Sequence, residues 1–260
     1  MPLKPFVRVA GAEDSQFAPI LMLHGWALNH HVWSSFSEHY AVKYQTLAMD
    51  LPGHGRSHEL NLENYDIDTV TDTIAAALDE PVIVLGWSLG AMLALNLTIR
   101  HPGKVEKLIT VAGTAQFLAD DAWPHGSQLE TFMQFADGLW TNYRSTIERF
   151  LAIQALGSKH ALSQIKRLKQ IMFSEPDPTT QALSGGLEIL KQARLQEQLR
   201  AIECPTLFVA GSTDKLIHCE ASKATAELIA SAQYREIRGA GHAPFISHPM
   251  EFYTALEDML

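Results

Sequence analysis

The hydrophobic pattern of the chain switches twice. Up to about residue 111, short apolar runs alternate with stretches of helical period: Ile20–Leu23, Tyr44–Met49, Val82–Leu85 and Leu108–Val111 read as strands. Asp68–Leu78 and Ala91–Arg100 between them read as helices. Runs that are apolar at every position suit strands covered on both faces, and strands separated by helices of this length make a parallel sheet. From about Thr114 to Leu187 the strand pattern stops. Helical periodicity takes over there, with large apolar residues at Phe117, Trp123, Phe132, Phe135, Trp140 and Phe150. Alternation resumes with a strand at Thr206–Ala210, a helix at Ala221–Ile229 and a strand at Tyr234–Ile237. The expected architecture is α/β, a mostly parallel sheet flanked by helices. Residues 1–113 and 188–260 form its core and 114–187 a helical cap inserted between two strands.

The break at 86–90 carries the chemistry. Gly86-Trp87-Ser88-Leu89-Gly90 joins an apolar strand to a helix, and this strand–turn–helix with a serine at its apex presents a hydroxyl at a helix N-terminus. A serine needs a base, and the base needs an orienting group. Asp214 lies just after the strand Thr206–Ala210, at the carboxyl edge of the sheet where such folds place ligands, and His242 lies in a glycine-flanked loop after the last strand. The chain order Ser88, Asp214, His242 is that of a nucleophile, orienter and base on this kind of elbow. Two backbone N–H groups should face the developing oxyanion, those of Leu89 and of Trp26 in the His24-Gly25-Trp26 loop.

Composition narrows the classes. The 260 residues are 47% hydrophobic and 19% charged, with a net charge of −9, which argues against generic nucleic-acid binding. No apolar run reaches the length of a membrane span and the N-terminus lacks the apolar core of a signal peptide, so the expectation is a cytoplasmic protein with no membrane association. Cys204 and Cys219 are then expected as free thiols, and neither has metal-ligand spacing.

His24-Gly25-Trp26, Asp50-Leu-Pro-Gly-His-Gly-Arg-Ser57, the elbow and Gly241-His242 together resemble the α/β-hydrolase superfamily over the whole chain. Glu148-Arg-Phe-Leu-Ala-Ile-Gln154, Gly185-Gly-Leu-Glu-Ile-Leu190 and His242-Ala-Pro-Phe-Ile-Ser-His-Pro249 are more particular. They resemble the esterases that cleave the methyl ester of pimeloyl-[acyl-carrier protein] in biotin synthesis. The resemblance implies that Trp26, Ser88, Leu89, Phe150, Leu151, Ala152, Ile153, Gln154 and His242 line the substrate, and that no metal or organic cofactor takes part. Ala91 stands where the family usually has a third elbow glycine.

An independent charge pattern agrees with an acidic partner. Between Thr141 and Met172 six basic residues face one acidic residue, Glu148, inside an otherwise acidic chain. Arg149, Lys166, Arg167 and Lys169 are candidates to dock an acidic acyl-carrier protein. The expected activity is that of a monomeric serine carboxylesterase acting on methyl pimeloyl-[acyl-carrier protein] and on small esters. Two other readings stay open: a broad-range short-acyl-chain carboxylesterase, and a ligand-binding protein that kept the fold without catalysis.

Overall fold

β-Branched and aliphatic runs build the centre of the molecule. The computed structural model describes residues 4–12, 14–141, 143–155 and 161–260; of residues 140, 141, 143, 144, 154 and 155 only the backbone is described. In chain order the elements of the first half are β1 (Val7–Gly11), β2 (Ile20–Leu23), α1 (Ser34–Tyr40), β3 (Gln45–Met49), α2 (Ile67–Ala76), β4 (Val82–Trp87), α3 (Leu89–Arg100) and β5 (Val105–Val111). Four helices follow, α4 (Leu129–Thr141), α5 (Tyr143–Ala155), α6 (Ala161–Met172) and α7 (Thr180–Gln192). The chain then returns to the sheet with β6 (Thr206–Gly211), α8 (Cys219–Ala226), β7 (Ala232–Ile237), α9 (Pro244–Ser247) and α10 (Pro249–Leu256).

The seven strands pair in the order β1-β3-β2-β4-β5-β6-β7, and only β1 runs antiparallel to its neighbour. Every residue of β2, β4 and β6 is buried, because α-helical crossovers cover both faces of the central strands. The expected α/β class and mostly parallel sheet are therefore what is found. β1 escaped the reading of the sequence. Its five residues are half-buried or exposed, with no all-apolar run to mark them, and it is held by pairing Val7 to Met49 through Gly11 to Gln45.

Four helices, α4 to α7, lie in the chain between β5 and β6. A single bridge, Leu118 to Ser127, is the only strand-like pairing among the described residues of this segment. The boundary drawn at 187/188 falls inside α7, which runs unbroken to Gln192. Polar ties fasten the α6–α7 side to the core: Asn29 Nδ2 donates to the Ile171 carbonyl at 2.8 Å, Arg167 Nη2 to Ser35 Oγ at 2.6 Å, and Thr179 N to the Gly53 carbonyl at 2.9 Å. Both cysteines are free thiols. Among the described residues no helix is long and apolar enough to cross a membrane.

Candidate active site

The carboxyl ends of β2, β4, β6 and β7 supply the site. β4 ends at Trp87, and the next residue, Ser88, adopts φ +58°, ψ −116°, a backbone conformation that L-residues avoid. The surroundings force it. A methyl group on Gly86 would lie 2.3 Å from the Gly90 carbonyl oxygen, and one on Gly90 2.4 Å from the Leu23 carbonyl oxygen. The start of α3 thus presses against its own strand and against β2 at once, and only glycine fits in both places. Ala91 departs from the resembled pattern without disturbing this turn, because its methyl packs where Gly113 has no side chain. Ser88 N donates to the Val111 carbonyl at 3.0 Å, which fixes the apex to β5. Leu89 is the first residue of α3, so no helical carbonyl reaches its N–H.

The loop after β2 passes over the serine. Gly25 lies close enough that an added methyl would sit 3.4 Å from Ser88 Cβ. Its orientation is set by His24, which no residue type or spacing singles out beyond its place in the His24-Gly25-Trp26 motif. His24 Nε2 accepts from Leu51 N at 3.0 Å, so Nδ1 carries the proton and donates to the Gly25 carbonyl at 2.8 Å. Burial pushes the His24 pKa down, which keeps that neutral tautomer. Across a trans peptide the carbonyl of Gly25 and the N–H of Trp26 point opposite ways, so holding one aims the other. Ala27 follows at φ +61°, and Leu28 N closes the turn on the Gly25 carbonyl.

Asp214 and His242 meet as a buried pair. His242 Nδ1 donates to Asp214 Oδ2 at 2.7 Å, and the side chains are 1% and 0% exposed. The other oxygen, Asp214 Oδ1, accepts from Leu216 N at 2.8 Å and Ile217 N at 3.1 Å, so the carboxylate is gripped by its own turn. The two loops can approach because Gly211 has no side chain: a methyl there would lie 2.2 Å from the Gly241 carbonyl oxygen. With Nδ1 spoken for, Nε2 of His242 is the free ring nitrogen, and it is buried with no hydrogen-bond partner. A buried imidazole acceptor with an empty coordination is costly unless a substrate or nucleophile completes it. Trp87, the residue before Ser88, reaches this loop as well, its ring lying 5.5 Å from that of His242.

Beside the site is an apolar cleft of about 130 Å³, walled by Trp26, Phe117, Phe132, Phe135, Phe150 and Leu187, with Lys215 its one charged lining residue. Phe135 and Phe150 meet the Trp26 indole edge to face at 5.5 and 5.3 Å, and Trp26 Nε1 donates to the Leu183 carbonyl at 3.0 Å. Gly186 lets α7 come this close, since a methyl there would lie 2.7 Å from the Trp26 ring.

Of the run 150–154, Phe150 and Ile153 line the cleft. Leu151 is buried in the core cluster and Ala152 is half-buried, and neither faces the cleft. The reason is the helix itself: five consecutive residues of α5 cannot share one face, whereas i and i+3 can. The Gln154 side chain lies outside the described residues. A larger groove of about 370 Å³, bordered by Asp66, Asp68, Glu188 and Arg194, is lined by none of the residues that surround Ser88.

The motif at 50–57 is structural. Asp50, fully buried, accepts from His30 N at 2.6 Å, His30 Nδ1 at 2.9 Å and Arg56 N at 2.8 Å. Burial alone would raise its carboxyl, but the His30 bond, the nearby His24 and the Arg56 N–H hold it below the usual carboxylate range. Among the described residues one group of side chains, His30, His31 and Glu175, is close enough together to hold a metal ion.

Residues 18–249 match the family model of the alpha/beta hydrolase fold. Over 238 residues the chain is 37% identical to the pimeloyl-[acyl-carrier protein] methyl ester esterase of Aeromonas hydrophila subsp. hydrophila, covering 92% of this chain and 93% of that one. It is 38% identical to the protein of the same name from Xanthomonas oryzae pv. oryzae, with the same coverage. Among solved structures, an esterase from Exiguobacterium antarcticum superposes with a TM-score of 0.88 at 21% identity, over 98% of this chain and 94% of that one. A bromoperoxidase from Bacillus anthracis gives 0.87 at 20% identity, over 97% and 93%. These two show the fold alone.

Proposed function

The chain belongs to the alpha/beta hydrolase fold family and, within it, to the pimeloyl-[acyl-carrier protein] methyl ester esterases, and we propose that Ser88, His242 and Asp214 perform that hydrolysis here. Ser88 Oγ attacks the ester carbonyl carbon and gives its proton to His242 Nε2, while Asp214 holds Nδ1–H and stabilises the imidazolium. The N–H groups of Leu89 and Trp26 receive the oxyanion. Collapse expels methanol, which takes the proton from His242. Water then repeats the sequence on the acyl-enzyme and releases the pimeloyl carboxylate, still joined to its carrier, for biotin synthesis. The observation that carries this reading is the buried, unpartnered Nε2 of His242, with its ring tautomer fixed by Asp214.

The helices between β5 and β6 act as the cap, and the cleft under Trp26, Phe135 and Phe150 takes the acyl chain. The acidic carrier stays outside, on the cap. Arg149 and Lys166 are exposed there and suit the task best. Arg167 already donates to Ser35, and Lys169 pairs with Glu148 at 3.0 Å, so these two contribute less. We place the reaction in the cytoplasm, carried out by a monomer.

The test compares kcat/KM on methyl pimeloyl-[acyl-carrier protein] with that on free short methyl esters. A preference for the carrier-linked ester supports the assignment. Equal efficiency on both would favour a broad-range short-chain esterase, which the apolar cleft would also suit. Absence of turnover on any ester would favour a binding protein.

A further inference from the structure

We propose that His30, His31 and Glu175 form a site for a divalent transition metal ion of the zinc class, at the seam between the sheet and the α6–α7 side of the inserted helices. The two histidines occupy a 3₁₀ turn, His30–Trp33, on the core side, and Glu175 follows α6 on the other. One ligand-capable atom from each of the three lies within 4.8 Å of the others. The imidazole rings sit 4.0 Å apart, and His31 Nε2 lies 3.1 Å from Glu175 Oε1.

Three further facts separate this group from a chance surface cluster. First, His30 is 3% exposed and its Nδ1 is held by Asp50 Oδ2 at 2.9 Å. A carboxylate on one nitrogen fixes the N–H there and leaves the other nitrogen's lone pair for an ion, which is how protein metal sites orient their histidines. Asp50 is itself gripped by two backbone N–H groups, so this donor is set before any ion arrives. Second, Asn29 spans the same seam, its Oδ1 accepting from His31 N at 3.1 Å and its Nδ2 donating to the Ile171 carbonyl. The spacing of the two sides therefore does not depend on the His31–Glu175 contact. Third, His31 and Glu175 are only partly buried, which gives an ion a way in.

The donor set names the class of ion. Two imidazole nitrogens and one carboxylate oxygen suit zinc and its first-row neighbours, whereas magnesium and calcium prefer all-oxygen sites. Three protein ligands leave a position for water. Glu175, with Asp50 behind His30, supplies two negative charges against the dication. The bound ion would add a tie between core and cap to the apolar packing and hydrogen bonds already there.

The experiment is calorimetric titration of metal-stripped full-length protein with zinc chloride, alongside the visible spectrum of the cobalt(II)-loaded protein and Tm at rising zinc. The expected result is one ion per chain with Kd at or below about 10 µM. The d–d bands of a low-coordinate cobalt site and a Tm that rises with zinc but not with magnesium chloride should accompany it. His31→Ala and Glu175→Gln should each weaken binding at least tenfold. Unchanged p-nitrophenyl ester turnover without metal would show that both variants are folded. Absence of binding up to about 100 µM zinc, or full binding retained by the double variant, would overturn the proposal.

Discussion

Trp87 Nε1 donates to the carbonyl oxygen of His242 at 2.8 Å, with both residues 1% exposed. The strand that leads into the serine thereby also holds the backbone of the base, and the two ends of the proposed proton transfer share one support. Trp87→Phe keeps an aromatic ring there but leaves a buried carbonyl without that donor. The expected cost is about 1–3 kcal/mol of stability, read as a lower Tm. For a small ester kcat should drop about tenfold with KM nearly unchanged, because the imidazole shifts and the cleft does not. An unchanged kcat would show that the His242 loop holds itself.

The strain at Ser88 separates two substitutions that are equally inactive. Ser88→Ala removes Oγ and should lower kcat by about four orders of magnitude or more. It keeps a Cβ at φ +58°, so the strain stays. Ser88→Gly removes both. Relief of a strained conformation is worth about 1–3 kcal/mol, set against a loss of up to about 1 kcal/mol for the greater freedom of unfolded glycine. Ser88→Gly should therefore melt at or above the temperature of Ser88→Ala. A clearly lower Tm would mean that the turn is not under strain.

His54 gives the fold an acid-sensitive point beside His24. Burial, and then the His24 ring 5.2 Å away, lower its pKa to about 3. An unfolded imidazole binds its proton near pH 6.5. Between these values the unfolded chain holds more protons than the folded one. Stability is therefore intact above about pH 6.5 and falls below it, by up to about 1.4 kcal/mol per pH unit, until His54 itself protonates in the folded state. His54→Phe should flatten the decline in Tm between pH 7 and pH 5, though it gives up the bond from Nδ1 to the Pro52 carbonyl at every pH. Identical slopes in the two proteins would place the acid sensitivity elsewhere, with His24 next in line.

Charge reversal on the cap separates docking from chemistry. Arg149→Glu with Lys166→Glu should lower kcat/KM for the carrier-linked ester by a factor of about 10 to 100, from two contacts of about 1 kcal/mol each. Turnover of a p-nitrophenyl ester should stay the same, since neither residue lines the cleft. The wild-type preference for the carrier-linked ester should shrink as salt rises. Equal rates on the carrier ester before and after reversal would leave the patch as a solvated face.

Local pattern made the central strands readable. Val82–Leu85 and Thr206–Ala210 announce themselves because both faces are covered, and Ser88 and Asp214 stand out because each follows such a run, while His242 stands out by its glycine-flanked loop and its place in the chain order. β1 stayed hidden for the converse reason: an edge strand with solvent on one side needs no apolar run, and the partner that defines it, β3, is remote in sequence. The roles of His24 and Trp87 were equally out of reach. What makes them matter is a hydrogen bond to a particular carbonyl, and no residue type or spacing encodes that. In the run 150–154 the helix distributes its residues around an axis, so Phe150 and Ile153 face the cleft while Leu151 packs in the core.

Ala27, Ser88 and Ala112 are the non-glycine residues with positive φ among those described, and each follows the carboxyl end of a strand: β2, β4 and β5. The sheet thus has two unlike rims. Along the amino rim, drift in sequence is judged by folding alone. Along the carboxyl rim the backbone is kept in conformations that folding would discard, so a change that makes the protein sturdier there is apt to be one that selection for turnover rejects. In lineages of this enzyme driven toward heat resistance, gains should accumulate first at the amino rim and on the outer helices, and reach the loops around Ser88 last.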